Sequence, residues 1–288
     1  MNLVRFEADN TVGLGVLDGE RVLNLTAVDP VLFSPDLAGL LAGGDPALTE
    51  ARAAAPGAPA VAAFRVKLLA PVPAPSKIIC VGQNYMDHIR EQKVEVPKTP
   101  ILFSKAPTSV IGPGDPVRWP AGLTTQADPE VELGVVIGRK MKGVPASDAL
   151  DHVFGYTILN DVSARDLQFG DKQWVRGKSL DTFCPIGPVL VTRDEIPNPQ
   201  SLKLSCAVSG RVWQNSTTAE MIFPVAELLS FICRGITLLP GDLVATGTPD
   251  GVGVFQKPPV FLKAGDRMRL EVERIGVLEN PVEGPVQL

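Results

Sequence analysis

Glu130, Glu132 and Asp161 are the residues whose types and spacing point most directly to chemistry. The two glutamates stand two apart in Asp128-Pro-Glu-Val-Glu-Leu-Gly-Val-Val-Ile137, and Asp161 ends the apolar run Val153-Phe-Gly-Tyr-Thr-Ile-Leu-Asn-Asp161. Side chains alternate across a β-strand, so Glu130 and Glu132 share one face, while Val131, Leu133, Val135 and Ile137 share the other and read as core. Two acids that close, beside a third at a strand end, repel unless positive charge sits between them. A hard divalent cation answers this, because Mg²⁺, Mn²⁺ and Ca²⁺ take oxygen ligands and keep water in the remaining positions. The competing reading is the polar face of a half-exposed antiparallel sheet, which carries acids without any ion.

Two further groups could move protons. His88 precedes Glu91 by three residues in Val81-Gly-Gln-Asn-Tyr-Met-Asp-His-Ile-Arg-Glu91. If this stretch is helical, that spacing lets the carboxylate orient the imidazole. The pair would make a general base near neutral pH, since unperturbed histidine titrates at about 6.5. The alternative is a surface histidine on a mobile loop. Lys178 could balance the carboxylates and donate to a developing enolate; the alternative is an ordinary surface lysine. The only other histidine, His152, reads as a turn residue. Gly177-Lys178-Ser179 is not a phosphate loop, because the glycine such a loop needs at position 172 is lysine. Thr246-Gly-Thr-Pro-Asp-Gly-Val-Gly253 is not followed by an amphipathic helix, which excludes a dinucleotide fingerprint. It reads as a tight turn whose N–H groups and threonine hydroxyls hold a carboxylate.

The elements that must position these groups are mostly strands. Leu3 to Phe6, Gly13 to Leu17 and Arg21 to Leu25 open the chain, with a hairpin turn at Asp18-Gly19. Asp45 as N-cap and Pro46 as first residue lead a short helix to Ala55, stopped by Pro56-Gly57. The Ala- and Pro-rich stretch 56–75 reads as a linker or semi-extended crossover, and divides a small N-terminal β unit (1–72) from a main unit (73–288). Beyond it, strand signals cover Lys77 to Val81, Ile101 to Phe103, Val131 to Ile137, Val153 to Asn160, Val189 to Val191, Leu202 to Val208, Leu243 to Thr246 and Met268 to Val272. Ser209-Gly210 is a second hairpin turn, and Val225 to Gly235 is the clearest helix. Such a β-rich α+β pattern, with 27 Gly and 27 Pro, predicts a sandwich, barrel or rolled sheet and not a doubly wound fold.

Composition narrows the class. With 27 Lys+Arg against 32 Asp+Glu the chain carries −5 and no basic stripe, so nucleic acid is not an expected partner. No run of about 18 apolar residues predicts a membrane span. The N-terminus lacks a signal-peptide layout, and Cys80, Cys184, Cys206 and Cys233 read as reduced thiols. A cytosolic or organelle-matrix enzyme is the expectation.

Six ordered segments together resemble the fumarylacetoacetate hydrolase superfamily across most of residues 77–282. They are Val81 to His88, Ser109 to Gly114, Glu130-Val-Glu132, Asn160 to Asp166, Gly177 to Phe183 and Ala245 to Gly253. Lys172 to Pro185 and Gly253 to Lys263 are most similar to the domain-containing-protein-2 branch. The resemblance implies a mixed β-sandwich roll, a small N-terminal β domain and a homodimer. It implies Mg²⁺ or Mn²⁺ on Glu130, Glu132 and Asp161, with Ca²⁺ an alternative occupant in crystals. It makes His88 and Glu91 a catalytic dyad and Lys178 the site lysine. Arg165, Gln168 and Thr248 become the residues that grip a 2-oxo acid substrate, and Thr182 falls near the metal. The expected reaction is hydrolysis of a carbon–carbon bond in a 3-acylpyruvate or related 2,4-dioxo acid. The alternatives are oxaloacetate tautomerisation or decarboxylation, and hydration or isomerisation of a 2-oxo-enoic acid.

Overall fold

The computed structural model of the chain describes residues 1–287. Its central sheet runs, edge to edge, through Ala60–Ala62, Arg21–Asn24, Thr11–Asp18, Asn2–Ala8, Cys184–Thr192, Val153–Asn160, Val131–Ile137, Leu243–Ala245, Ile78–Gly82 and Ile101–Lys105. A second sheet of five strands runs Arg211–Thr217, Lys203–Val208, Arg267–Val272, Gly276–Val286 and Val117–Pro120. The first core lies where these sheets meet: Val131, Leu133, Val135 and Ile137 pack in one cluster with Leu204, Cys206, Met268 and Leu270. Val136, on the reverse face, joins a second core with Ile78, Cys80, Cys184, Leu190 and Leu243.

The glutamate strand is therefore covered on both faces, and every residue of Val131–Ile137 and Val153–Asn160 is buried. The half-exposed polar face considered from sequence does not exist. The apolar alternation is present, but the opposite face is core as well.

Residues 1–72 form strands as expected, and these extend the central sheet: Asn2 pairs with Val191 and Leu3 with Leu190. The stretch 56–75, expected as a linker, contains two short strands. Ala60–Ala62 pairs with Arg21–Asn24, and Lys67–Leu69 pairs with Asn2–Ala8. Alanine and proline disguise it, but Val61, Leu68 and Leu69 supply the β-type positions. Treating 1–72 as a unit apart from 73–288 remains a proposal about how the chain folds.

The helix Ala38–Ala54 starts earlier than expected and breaks at Gly44, whose φ of 58° and ψ of −140° lie outside the helical region. Asp45 and Pro46 start its second half, yet the Asp45 carboxylate makes no cap and instead pairs with Arg139 and Arg193. Val225–Gly235 is helical as read. Ser209 and Gly210, at φ 48° and 82°, turn the hairpin that pairs Val208 with Arg211. Gly276–Val286 was not anticipated, because Pro281 and Pro285 hide an eleven-residue strand. All four cysteines are buried and free. Among the described residues no helix is long and apolar enough to cross a membrane.

Gly155 tests the tightness of the central sheet. A Cβ added there would lie 2.3 Å from the carbonyl oxygen of Val191 on the neighbouring strand, so the strands must part to admit it. Gly155→Ala is expected to cost about 1–3 kcal/mol in chemical denaturation, the usual range for overpacking.

Candidate active site

The site is built on the pairing of two strands. Val131 lies opposite Asn160, which sets Glu130 opposite Asp161; the Asp161 N–H donates to Glu130 O at 3.0 Å. The Asn160 side chain accepts from the Glu130 N–H at 3.0 Å and fixes the strand entry. Glu132 follows on the same side by alternation. Ligand atoms of Glu130, Glu132 and Asp161 consequently lie within 4.8 Å of one another, all three residues buried.

Three cations surround them. Lys178 Nζ donates to Glu130 Oε2 at 2.6 Å and to Asp161 Oδ2 at 2.8 Å. Arg165 Nε donates to Asp128 Oδ2 at 2.9 Å, and its Nη2 lies 2.6 Å from Glu130 Oε1 without hydrogen-bond alignment. Lys105 Nζ donates to Asp161 Oδ1 at 2.6 Å, to Val162 O at 3.2 Å and to the Lys178 carbonyl. Burial opposes the charge on Glu130, but Lys178 and Arg165 outweigh it and hold its carboxyl down at about 2. Burial likewise disfavours the Lys178 ammonium, yet Asp161 and Glu130 raise its pKa. Glu132 differs. Burial, then the charges of Asp161 and Glu130, push its carboxyl well above the usual range, and its Oε2 accepts only the Gly247 N–H at 2.8 Å.

Four buried carboxylates (Asp128, Glu130, Glu132 and Asp161) thus face three cations, and among the described residues none forms an ion pair with Glu132. This donor set fits a hard divalent cation: oxygen atoms only, clustered, and short of positive charge.

His88 sits on the helix Met86–Gln92, so the helical condition on the His88–Glu91 spacing is met. Its Nδ1 lies 2.8 Å from Glu91 Oε2, and Glu91 Oε1 accepts the Gly251 N–H at 2.9 Å. A carboxylate only accepts, so Nδ1 carries the proton and Nε2 is left as a base. The Phe255 ring, 5.9 Å from the imidazole, packs edge-on beside it.

Among the residues expected to grip substrate, Gln168 has capacity to spare. Its Oε1 accepts from Arg165 Nη1 at 3.0 Å; since arginine only donates, this leaves the Gln168 amide nitrogen as a donor. The Thr248 hydroxyl donates to Val131 O at 3.0 Å and accepts from Gln214 at 2.8 Å, so its proton is committed to the strand. The loop 246–253 does hold carboxylates with its N–H groups, but they are the protein's own: Glu132, Glu91 and, through Gly253 at 2.7 Å, Asp128. Thr182 exchanges hydrogen bonds with the backbone of Arg118 and lines a different depression.

A cavity of about 140 Å³ unites these groups, lined by His88, Glu130, Glu132, Arg165, Gln168, Lys178 and Thr248. Gln83 and Gln92 close one side through a 3.0 Å hydrogen bond, and Phe103, Phe169, Trp174 and Phe255 add apolar wall. Lys105 and Asp128 were overlooked from sequence. Asp128 stood in the quoted glutamate segment, and a lysine ending the apolar stretch Ile101-Leu-Phe-Ser-Lys105 is the signal for the other.

Two variants separate the roles. Lys105→Met leaves part of Asp161 and two carbonyls without a donor, and is expected to cost about 3–5 kcal/mol of stability in denaturant melts. Glu132→Gln removes a carboxyl that has no cation, so its melting point in EDTA should match or exceed wild type. Mn²⁺ should raise the melting point of wild type but not of Glu132→Gln; an unshifted wild type would remove the case for a metal.

Known proteins share the sequence and fold of this chain. The family profile for the fumarylacetoacetate hydrolase C-terminal domain matches residues 77–283. The human protein named oxaloacetate tautomerase FAHD2A, mitochondrial, is 47% identical over 289 residues, covering 98% of this chain and 91% of that protein. Fumarylacetoacetate hydrolase from the psychrophile Exiguobacterium antarcticum superposes with a TM-score of 0.89 at 41% identity, covering 99% of both chains. Maleylpyruvate hydrolase from Sphingobium sp. SYK-6, solved with manganese(II) and pyruvate, gives 0.83 at 30% identity, covering 99% of this chain and 100% of that one. The chain belongs to the fumarylacetoacetate hydrolase family of enzymes and, by identity along nearly its whole length, to its domain-containing-protein-2-like members.

Proposed function

We propose that the protein interconverts the keto and enol forms of oxaloacetate or a closely related short 2-oxo acid. The observation that carries this reading is a small cavity in which one base and two groups with free donors converge. Its volume of about 140 Å³ is well below the roughly 300–1,000 Å³ of drug-sized ligand pockets. It matches a compact acid better than an acylpyruvate with a long acyl arm.

His88 Nε2 takes the proton from C3, while Glu91 holds the ring and offsets the imidazolium charge. An ammonium has three donors, and Lys178 spends two on Glu130 and Asp161; the third is available to the 2-oxygen as negative charge gathers there. The Gln168 amide nitrogen is a second donor for a carboxylate or oxo group. One proton leaves C3 and one arrives at the 2-oxygen, so atoms balance without consuming water. Held by Glu130, Glu132 and Asp161, Mg²⁺ or Mn²⁺ would supply Lewis-acid polarisation of the oxo acid. The name of the human relative, 47% identical over nearly the full chain, supports this choice over hydrolysis.

Carbon–carbon hydrolysis of a 2,4-dioxo acid is the second reading, favoured by the hydrolase names of two similar structures. It uses the same dyad to activate water. A homodimer in the cytosol or an organelle matrix completes the proposal; the name of the human relative places that protein in the mitochondrion.

Following the ultraviolet absorbance of enol-oxaloacetate with Mn²⁺ present tests the first reading. Wild type should accelerate its decay, and His88→Ala should lower kcat by roughly 10²–10⁴-fold with Mn²⁺ affinity unchanged by calorimetry. If wild type instead releases pyruvate from acylpyruvates faster than it tautomerises oxaloacetate, hydrolysis is the function.

A further inference from the structure

Trp174 stands apart from the polar machinery, yet it touches the cavity and is tied to the residue that acts there. It begins the single turn Val175–Lys178: the Lys178 N–H donates to Trp174 O at 3.0 Å. Residues four apart on one turn share a face, so the indole and the ammonium are presented together. The indole is half-buried. It meets Phe103 edge-on at 5.3 Å between centroids, and Phe103 in turn lies 5.2 Å from Lys178 Nζ.

Its seat is Gly82, at the end of the strand Ile78–Gly82. A Cβ on Gly82 would lie 2.4 Å from Trp174 Cζ3, so the ring rests directly on backbone where no side chain fits. Gly82, Phe103 and Trp174 all line the cavity, and among the described residues none of them makes a side-chain hydrogen bond. Their contribution to the cavity is mainly apolar surface and bulk.

We propose that Trp174 is the length filter of this site: seated on Gly82 and braced by Phe103, its indole closes the space that a longer acyl or alkyl arm would need. The filter rests on the reading of the cavity as a 2-oxo acid site, but not on which reaction follows. A rigid bicyclic ring is suited to the task because it has only two side-chain torsions and cannot fold aside as a long aliphatic chain can. The segment 171–174 that presents it joins two short helices and carries none of the carboxylates or the dyad. Substitution there would alter the size of the cavity while leaving its charges in place.

Binding separates the filter from the chemistry. With Mn²⁺ present, calorimetry would compare pyruvate, a short probe, with 2-oxooctanoate, a long one, on wild type, Trp174→Ala and Trp174→Leu. Wild type should bind pyruvate and bind 2-oxooctanoate much more weakly. Trp174→Ala should gain at least ~10-fold for the long acid while changing little for pyruvate, as expected when a hydrophobic site is relieved of a steric block. Trp174→Leu, which keeps apolar packing if the alanine variant unfolds, should gain in the same direction by less. The filter is overturned if wild type binds both acids equally, or if folded variants show no gain for 2-oxooctanoate. Enol-oxaloacetate decay measured on the same samples reports separately on the proposed reaction: wild type that selects by length but leaves that decay unchanged keeps the filter and loses the tautomerase reading.

Discussion

Burying negative charge inside a sheet that is covered on both faces is the constraint from which most of this site follows. The register that sets Val131 against Asn160 also sets Glu130 against Asp161, and alternation adds Glu132 to the same side. Each carboxylate so buried costs several kcal/mol in lost hydration unless a partner offsets it. The chain brings partners from three separate segments: Lys105 from the strand Ile101–Lys105, Arg165 at the start of the helix after Asp161, and Lys178 from a single helical turn. The loop after Leu243–Ala245 folds back so that Gly247 reaches Glu132 and Gly253 reaches Asp128. What looks in sequence like a glycine-rich ligand loop is thus the second half of a solvation shell for the protein's own acids.

Counting donors separates the groups that hold this cluster from those that can act on a substrate. Lys105 spends three hydrogen bonds, on Asp161, Val162 and Lys178, and does not line the cavity. The Thr248 hydroxyl is likewise committed to the strand. Lys178 keeps one N–H, Gln168 both N–H groups of its amide nitrogen and His88 its Nε2, and all three residues line the same cavity. Two donors and one acceptor thus converge on one small space, the set that a small oxo acid with its oxygens and an acidic C–H would use.

The strands Val131–Ile137 and Val153–Asn160 were legible to the residue, since their apolar runs and flanking acids leave no other period. The acidic cluster was legible for the same reason: a strand fixes which side chains point together. Lys105 and Asp128 were not, because sequence alone does not tell which distant segment will supply a counter-charge. The strand Gly276–Val286 was hidden by two prolines, and the paired stretch 56–75 by alanine and proline, both residues of weak strand propensity. Thr248 and the loop glycines were visible, but their partners were not. The sequence suggested that the loop holds a carboxylate; only the fold shows that the carboxylates are those of Glu132, Glu91 and Asp128.

A base, a lysine donor and an acidic cluster do not by themselves choose a reaction. Moving a proton between carbon and oxygen needs only these, whereas hydrolysis needs in addition an attacking water and room for a departing acyl group. Relatives sharing this fold carry the names of a tautomerase and of hydrolases, so the scaffold accommodates both demands. The ion-paired part of the charged floor is constrained by its burial, because removing one partner strands the other. The aromatic wall is under no such constraint. Trp174 and Lys178 belong to one helical turn, so a single element presents the donor and sets the adjoining space. On the proposed length filter, the chain can adjust which acids the cavity admits at residues that carry no charge.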